Sequence, residues 1–400
     1  MVYNLKMSCS DDEYVELTDS LVFDEETGFY ARSTNSFKES LEKKLARRYG
    51  QTECHVTTSG TDAIYSLLEG INRCSEKKKW TLVYTSELYT GTPKLFKHLE
   101  EIHDMYTIVM DIRNPAQFIT NVREGVYDEY CNEDERYTVF FFESCSNPHS
   151  TPFNWGALNS FVERYPDTYV ICDNTWLTDV ILNPFTENQY IDFIVTSLAK
   201  YYSGGLAMGG AIVVKTTGFS SFKKIRENIL ENIRQHDKLT GKHVSIKDCE
   251  VTECNIDNVR GHILEIGKKI EDVIDILKNS EKVEVVYCSK KYTINTGEDV
   301  RQINEHLHDG IRAGVVVFVV KCSVGRAKRT FKKMKKKRSD VFPEYKTSFG
   351  GMRSRIDPFP TNVAGTCHIR FAAGYADRFN FDLEESFEWI LNELTSEKSK

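Results

Sequence analysis

Six apolar runs recur through the first half of this 400-residue chain, and they restrict its possible folds more than any other feature. They are rich in β-branched and aromatic residues, and most are too continuous for strands with one face in water. Segments with helical spacing lie between several of them, as in 153–165. This alternation is typical of a largely parallel sheet covered by helices on both faces, so an α/β fold is predicted. The runs are 80–86, 105–112, 137–145, 168–175, 192–199 and 210–216.

The pattern changes near residue 246, where a long helical stretch replaces the alternation. Two strand-like runs, a basic helix, a further strand and a closing helix follow, and together they predict a smaller α+β domain. The first 35 residues have the character of an arm rather than of a domain. The predicted organisation is an N-terminal arm over 1–35, a large domain over 36–245 and a C-terminal α+β domain over 246–400.

Charge and composition exclude several classes of protein. The net charge of −7 argues against nucleic acid as the main partner. One basic island runs from Arg326 to Arg338, and because it carries Phe331 and Met334 at helical spacing it is predicted to be the solvated face of an amphipathic helix. No apolar run approaches the roughly 20 residues that span a bilayer, and the N-terminus has no apolar signal core, so a cytosolic protein is predicted. The eleven scattered cysteines predict reduced thiols and no metal site.

Three of the apolar runs end in polar clusters, which cover 143–147, 173–175 and 197–200. Each cluster taken alone has the character of a solvated turn at the end of a strand. The carboxyl ends of parallel strands meet along one edge of a sheet, where ligands bind. Three such clusters in succession therefore predict a site at that edge.

Lys200 and Asp173 suit one chemistry in particular. A lysine amine can form a Schiff base with an aldehyde cofactor, and a carboxylate against a pyridine nitrogen keeps that nitrogen protonated. The pair is therefore compatible with pyridoxal 5′-phosphate (PLP). The alternative is a surface lysine beside an aspartate in a turn, and the two residues alone do not exclude it.

Each of the other candidate residues has two possible roles, one in binding a ligand and one in the structure alone. Ser59, Gly60 and Thr61 stand at the start of a helical apolar stripe, where free N–H groups favour a phosphate, but Ser59 or Thr61 could simply cap the helix. Tyr89 could stack on a planar ring or serve as packing. Arg370 alternates with apolar neighbours in a strand, and it could bind a substrate carboxylate or form an internal salt bridge.

Taken in order, these motifs resemble those of the cystathionine γ-synthase and γ-lyase family. Its members are PLP-dependent enzymes of cysteine and methionine metabolism with the aspartate-aminotransferase type of fold, known as fold type I. The resemblance runs from about Phe29 to near the C-terminus. The segments that carry it are FYARS (29–33), TTSGTDAI (57–64), LYTGTPKLF (88–96), FFESCSNP (141–148), CDNTWLTDVILNPF (172–185), VTSLAKYYSGG (195–205), KTSFGGMRS (346–354) and HIRFAAG (368–374).

The resemblance implies a role for each matching residue. It makes Lys200 the Schiff-base lysine, Asp173 the partner of the pyridinium nitrogen and Tyr89 the ring that stacks on the cofactor and assists in proton transfer. The cofactor phosphate and phenolic oxygen are implied to contact Ser59, Gly60, Thr61, Ser197 and Asn147. Tyr30 and Arg32 are implied to reach the phosphate of a neighbouring subunit, so a homodimer or homotetramer with shared active sites is expected. The implied substrate-binding residues are Arg370, Ser348 and Asn147.

The expected activity is β- or γ-elimination on an amino acid of sulfur metabolism, as in a cystathionine γ-lyase. A γ-replacement transferase, such as a cystathionine γ-synthase or an O-acylhomoserine sulfhydrylase, is the alternative. Departures from the family pattern leave a non-catalytic PLP-fold binding protein as a further alternative. Ala199 stands where the family has threonine, and the loop 201–210 lacks the family's Gly-His-Ser-Asp, so weaker cofactor binding is expected.

Overall fold

The structure is a computed structural model, and it describes eight stretches of the chain. These are residues 35–75, 79–131, 136–216, 223–292, 310–337, 343–360, 363–376 and 382–396. The strands are β1 Glu53–Thr57, β2 Lys79–Thr85, β3 Met105–Met110, β4 Arg136–Glu143, β5 Thr168–Asp173, β6 Phe193–Ser197, β7 Gly210–Val214, β8 Val283–Cys288, β9 Val315–Val320, β10 Glu344–Tyr345, β11 Arg355–Pro360 and β12 Cys367–Ala372. The helices are α1 Ser36–Arg48, α2 Gly60–Cys74, α3 Thr92–Ile102, α4 Pro115–Arg123, α5 Asp128–Cys131, α6 Trp155–Arg164, α7 Thr178–Ile181, α8 Pro184–Glu187, α9 Lys223–Thr240, α10 Ile246–Ile256, α11 Val259–Lys278, α12 Val324–Lys337 and α13 Leu383–Thr395.

Seven strands form the larger sheet, in the order β1-β7-β6-β5-β4-β2-β3. Every pairing from β6 to β3 is parallel, and β7 runs antiparallel to both of its neighbours. The reversal at β7 follows from its connection, because the segment between β6 and β7 contains no helix to carry the chain back across the sheet. The predicted α/β fold with a mostly parallel sheet is confirmed.

Side chains of β4 show how this sheet is buried on both faces. Phe141 points to the face covered by α2, α3 and α9, where its ring meets that of Phe96 at 5.2 Å in an edge contact. Phe140 and Phe142 point to the opposite face, and Phe142 stacks on Phe153 with ring centroids 3.8 Å apart. Both faces of the strand are therefore dry, which explains why β4 is a continuous apolar run in the sequence.

The second sheet has five strands in the order β10-β11-β12-β9-β8, and all pairings except β10–β11 are antiparallel. Helix α12 is the predicted basic island. Phe331 and Met334 are buried on its inner face while Lys332 and Lys333 are exposed, as expected for an amphipathic helix. The sheet and its helices make up the smaller α+β unit that was predicted.

Three further observations concern the described stretches alone. The ten cysteines within them are free thiols. No group of three His, Cys, Asp or Glu side chains there is placed to hold a metal ion. No helix in the same stretches is long and apolar enough to cross a membrane.

Candidate active site

The polar ends of β4, β5 and β6 converge at one edge of the larger sheet, as predicted. Glu143 and Asp173 are aligned in the register of β4 and β5, so their side chains lie on adjacent strand ends. An oxygen of Asp173 accepts a hydrogen bond from the backbone N–H of Thr175 at 2.9 Å. The hydroxyl of Thr175 accepts one from the N–H of Ser197 at 2.8 Å, and thereby links β5 to β6. Burial raises the pKa of Asp173, although Thr175 and the charge of Lys200 act against the shift.

The start of α2 packs directly against the end of β6. Ser59 is the N-cap of α2, and its hydroxyl accepts a hydrogen bond from the N–H of Asp62 at 3.0 Å, so the capping interpretation holds for its side chain. A Cβ on Gly60 would lie only 2.8 Å from the Cβ of Ser197, and the glycine therefore permits the close approach. Thr61 is exposed in the first turn. The cap uses the N–H of Asp62, while the N–H groups ahead of it have no partner within the helix, and such groups are suited to an anion.

Lys200 lies in the turn that follows β6, and its amine contacts the smaller sheet unit. Nζ donates a hydrogen bond to the Ser348 hydroxyl at 2.8 Å and lies 5.3 Å from the centre of the Phe349 ring. The pKa of Lys200 is lowered to about 8, mainly by burial and then by the positive charges of Arg355 and Arg370, with Asp173 opposing the shift. A larger fraction of this lysine is therefore the free amine near neutral pH than for a solvated lysine.

The segment that carries Ser348 approaches the backbone of Lys200 closely. Ser348 has φ 132, a backbone conformation that residues with a side chain rarely adopt. At Gly350, with φ 73, a Cβ would lie 2.8 Å from the backbone nitrogen of Tyr201. A glycine is therefore required there, and the close contact places the Ser348 hydroxyl at the lysine amine.

Glu143 is a site residue that the sequence interpretation did not single out, although it opens one of the predicted polar clusters. It is 2% exposed, and Oε1 accepts a hydrogen bond from the backbone N–H of Tyr89 at 2.5 Å. Its other oxygen is buried with no partner among the described residues. Burial raises the pKa of Glu143 well above its usual range, and the adjacent Asp173 raises it further. Glu143 holds the backbone of Tyr89, whose side chain is half exposed.

The loops that carry Tyr89 and Asn147 are tied together through Glu87. The backbone N–H of Asn147 donates to the carbonyl oxygen of Glu87 at 3.2 Å, and the Ser146 hydroxyl donates to the Glu87 carboxylate at 2.8 Å. Asn147 precedes a cis peptide bond to Pro148. The two predicted cofactor-contacting residues are therefore brought to the same edge of the sheet.

Arg370 forms an internal salt bridge. It is 8% exposed, and its Nε and Nη2 donate to the two carboxylate oxygens of Asp357 at 3.1 and 3.3 Å. The sequence interpretation offered an internal salt bridge and substrate binding for Arg370; the internal salt bridge is present, and substrate binding stays a prediction. Tyr30 and Arg32 lie outside the described residues.

A family model for Cys/Met metabolism PLP-dependent enzymes matches residues 12–367. The chain belongs to this family. The predicted recognition is confirmed over most of the sequence, including the segments that carry Lys200 and Asp173.

Curated relatives and solved structures agree with this assignment. Cystathionine β-lyase from Saccharomyces cerevisiae is 25% identical over 198 residues, which cover 48% of this chain and 41% of that protein. Methionine γ-lyase from Arabidopsis thaliana is 29% identical over 177 residues, which cover 44% of this chain and 36% of that protein. The matched stretches thus span less than half the length of either relative.

Two solved structures resemble the chain over nearly its whole length. A structure from Campylobacter jejuni, assigned as an O-acetylhomoserine (thiol)-lyase and holding N′-pyridoxyl-lysine-5′-monophosphate, has a TM-score of 0.69 at 18% identity and covers 98% of this chain and 94% of that one. Cystathionine γ-synthase from Xanthomonas oryzae has a TM-score of 0.69 at 17% identity and covers 93% and 90%. The fold is that of the fold type I PLP enzymes, as predicted.

PLP is the cofactor of this family, and the described residues fit it. The first turn of α2 and the close approach of Gly60 to Ser197 form a cradle for a phosphate. Lys200 supplies an amine with a lowered pKa, and Asp173 supplies a carboxylate on the adjacent strand end. The donor set is therefore that of an anionic aldehyde cofactor with a ring nitrogen.

Proposed function

We propose that this protein is a PLP-dependent carbon–sulfur lyase that acts on an amino acid of sulfur metabolism by β- or γ-elimination. The observation that carries the proposal is the Lys200 amine, whose pKa is lowered to about 8 and which Ser348 holds at 2.8 Å. An amine with this pKa takes up and releases protons near neutral pH, as a group that moves protons in catalysis must.

Each residue of the predicted site has a proposed role in holding PLP. Lys200 would bind the aldehyde carbon, Asp173 the ring nitrogen, and Tyr89 one face of the ring. Ser59, Gly60, Thr61 and Ser197 would hold the phosphate, and Asn147 the phenolic oxygen. When bound, PLP supplies an electron sink for the electrons left on Cα after a proton is removed.

The chain's own residues then handle the substrate and its protons. Arg370 and Ser348, with Asn147, are proposed to orient the substrate carboxylate. With PLP bound, the Lys200 amine would be placed to remove the proton from Cα of the substrate, and the sulfur group on Cβ or Cγ would leave with the electron pair of its broken bond and take up a proton. The hydroxyl of Ser348 orients the amine, and Tyr89 assists in proton transfer. Buried Glu143 keeps the backbone of Tyr89 in place.

We also propose that the working form is a cytosolic homo-oligomer with shared active sites. Leu206 and Met208, in the loop after Lys200, are exposed in the single chain by 58% and 59%, and Tyr89 is exposed by 50%. Apolar side chains beside the site are suited to contact with a second copy. Arg32 would then act from the neighbouring subunit, together with Tyr30.

Mixed oligomers test this arrangement. Lys200→Ala and Arg32→Ala variants are each expected to be inactive. If Arg32 acts in the neighbour's site, co-refolded mixtures should regain activity, because a hybrid dimer contains one site with both residues. Sedimentation of an active monomer, or no recovery in mixtures that do form hybrids, would rule out shared sites.

The lyase proposal is tested with the visible absorption spectrum and a substrate panel. Wild-type protein with PLP should show an absorption band that Lys200→Ala lacks and that Lys200→Arg does not restore, since arginine keeps the charge but cannot replace the amine. Turnover of cystathionine, cysteine, homocysteine, methionine or an acylated homoserine should release ammonia and a keto acid. Incorporation of an added thiol in place of that release would favour the γ-replacement alternative. A band without turnover of any of these amino acids would favour a non-catalytic binding protein.

A further inference from the structure

One edge of the Arg370 guanidinium is bound by a carboxylate of the same chain. Arg370 on β12 is aligned with Asp357 on β11 in the sheet register, and the bond is a two-point contact through Nε and Nη2. Both side chains are largely buried, with 10% and 16% of their surface exposed. A paired carboxylate at this depth is poorly screened by solvent, so it offsets most of the positive charge that an incoming anion would meet.

The carboxylate of Asp357 is also bonded to the segment that contacts the lysine amine. Its second oxygen accepts a hydrogen bond from the Thr347 hydroxyl at 3.3 Å, and Thr347 directly precedes the Ser348 that binds Lys200. The internal carboxylate therefore stands at the side of the site where the proposed function places the substrate carboxylate.

The outer edge of the Arg370 guanidinium, formed by Nη1 and the second hydrogen of Nη2, does not take part in the contact with Asp357. A substrate carboxylate on that edge would lie roughly 6 Å from the Asp357 carboxylate, as the width of a guanidinium dictates. At an effective dielectric constant of about 20, two like charges at that distance reduce an affinity on the order of 100-fold.

We propose that Asp357 is a specificity-determining residue, which lowers the preference of the site for a substrate with a free α-carboxylate. The inference rests on the proposed function, because it takes Arg370 as the residue that meets this part of the substrate. With its charge matched internally, Arg370 offers hydrogen bonds to an amide nearly as readily as to a carboxylate. The chain should therefore accept α-amides of amino acids far better than a site with an unpaired arginine does.

The experiment compares L-methionine with L-methioninamide, which differ at the relevant position only in charge. Binding is measured from the change in visible absorption of the PLP-loaded protein, so no turnover is needed. Asp357→Asn removes the charge and keeps the shape. Glu284→Gln is the matched control, since Glu284 lies on the same sheet and its carboxylate pairs with Lys321 at 2.9 Å rather than with Arg370. Asp357→Ser provides a second variant should the Asn variant fail to fold.

The wild-type protein is expected to bind the two ligands within about 5-fold of each other. Asp357→Asn should tighten binding of L-methionine about 10- to 100-fold and leave L-methioninamide within about 2-fold. Glu284→Gln should change neither by more than about 2-fold. The role of Asp357 is overturned, and the proposed function is not, if L-methionine binding is unchanged or weaker in both Asp357 variants. An equal change for the two ligands has the same meaning. An absorption band that depends on Lys200 but responds to neither ligand in any variant would overturn the proposed function and this inference with it.

Discussion

The amine of Lys200 and the hydroxyl of Ser348 are 2.8 Å apart although 148 residues separate them in sequence. Lys200 follows a strand of the larger sheet, while Ser348 lies between β10 and β11 of the smaller sheet. Their hydrogen bond therefore connects the two halves of the molecule at the group that is proposed to move protons.

Ser348→Ala is expected to lower kcat/KM about 3- to 10-fold, because the amine loses one oriented hydrogen bond. The pKa of Lys200 should also fall below its value of about 8, since the hydroxyl accepts a bond from the protonated amine. The kinetic assay checks the first expectation, and the pH profile of stability of the cofactor-free protein, in which Lys200 is a free amine, checks the second. A profile identical to that of the wild type would contradict a role for the contact.

Ser348→Gly distinguishes the effect of losing the hydroxyl from the effect of the strained backbone. Glycine adopts a φ of 132 without a Cβ penalty, so this variant should be about 0.5–1 kcal/mol more stable than Ser348→Ala. Its activity should match that of Ser348→Ala. Urea unfolding and the same kinetic assay measure the two effects separately.

Lys200→Met is expected to stabilise the cofactor-free protein by about 1–2 kcal/mol at pH 7, because the wild type buries a charged amine there. The pKa of Lys200 is lower in the folded chain, at about 8, than the ordinary 10.5. Between these values the unfolded chain binds more protons, so wild-type stability should rise as the pH increases from about 8 to 10.5.

The Lys200→Met variant should lack that rise, and equilibrium urea unfolding of the two proteins at several pH values makes the comparison. Equal slopes for the two proteins between pH 8 and 10.5 would show that the lysine is not desolvated in the folded chain.

Glu143→Gln tests the buried carboxyl behind Tyr89. A carboxyl group whose pKa is raised in the folded state gives stability at low pH that is lost as the pH rises through the folded-state value. The cofactor-free wild type should therefore lose about 1–3 kcal/mol more than Glu143→Gln between pH 5 and pH 8. Asp173 is present in both proteins, so its own titration largely cancels in the comparison.

Glu143→Ala provides the contrasting variant. It leaves the backbone N–H of Tyr89 without its acceptor, whereas the Gln side chain can still accept that bond through its carbonyl oxygen. Glu143→Ala should be less stable than Glu143→Gln by about 1–3 kcal/mol and should have a lower kcat. If the two variants are indistinguishable, Glu143 does not position Tyr89.

Gly60→Ala should weaken PLP binding more than 10-fold, because the added Cβ would lie 2.8 Å from the Cβ of Ser197 and would displace the start of α2. Ser197→Gly in the same chain should restore part of the affinity by removing that Cβ. Gly261→Ala is the control, since no atom lies within 4 Å of the position where its Cβ would stand. Titration with PLP, followed by absorbance, measures all three.

Much of the larger sheet could be predicted from local sequence because strands buried on both faces are continuous apolar runs. β1 was not among the predicted strands. Its five residues include Glu53 and His55, and the buried His55 ring has polar partners far from it in sequence, among them Asp237 on α9 at 2.8 Å. β11 was not predicted either, since Pro358 and Pro360 disfavour a strand. Both prolines lie beyond the two-residue pairing with β10, so on that side of β11 no strand needs their missing N–H groups, while β12 is aligned with them on the other side.

The sequence by itself determined the order of the helices and strands and the identity of the chemical groups at the site. It could do so because strand and helix periodicity are local, and because the motifs keep their spacing along the chain. The α/β fold, the edge at which Asp173 and Lys200 meet, and the family all follow from it. Only the tertiary structure decided how those groups are paired and how far they are removed from water. The match of Arg370 with Asp357, the burial of Glu143 and the lowered pKa of Lys200 arise from contacts between segments far apart in sequence. Desolvation and charge pairing depend on that packing, and no local pattern encodes it.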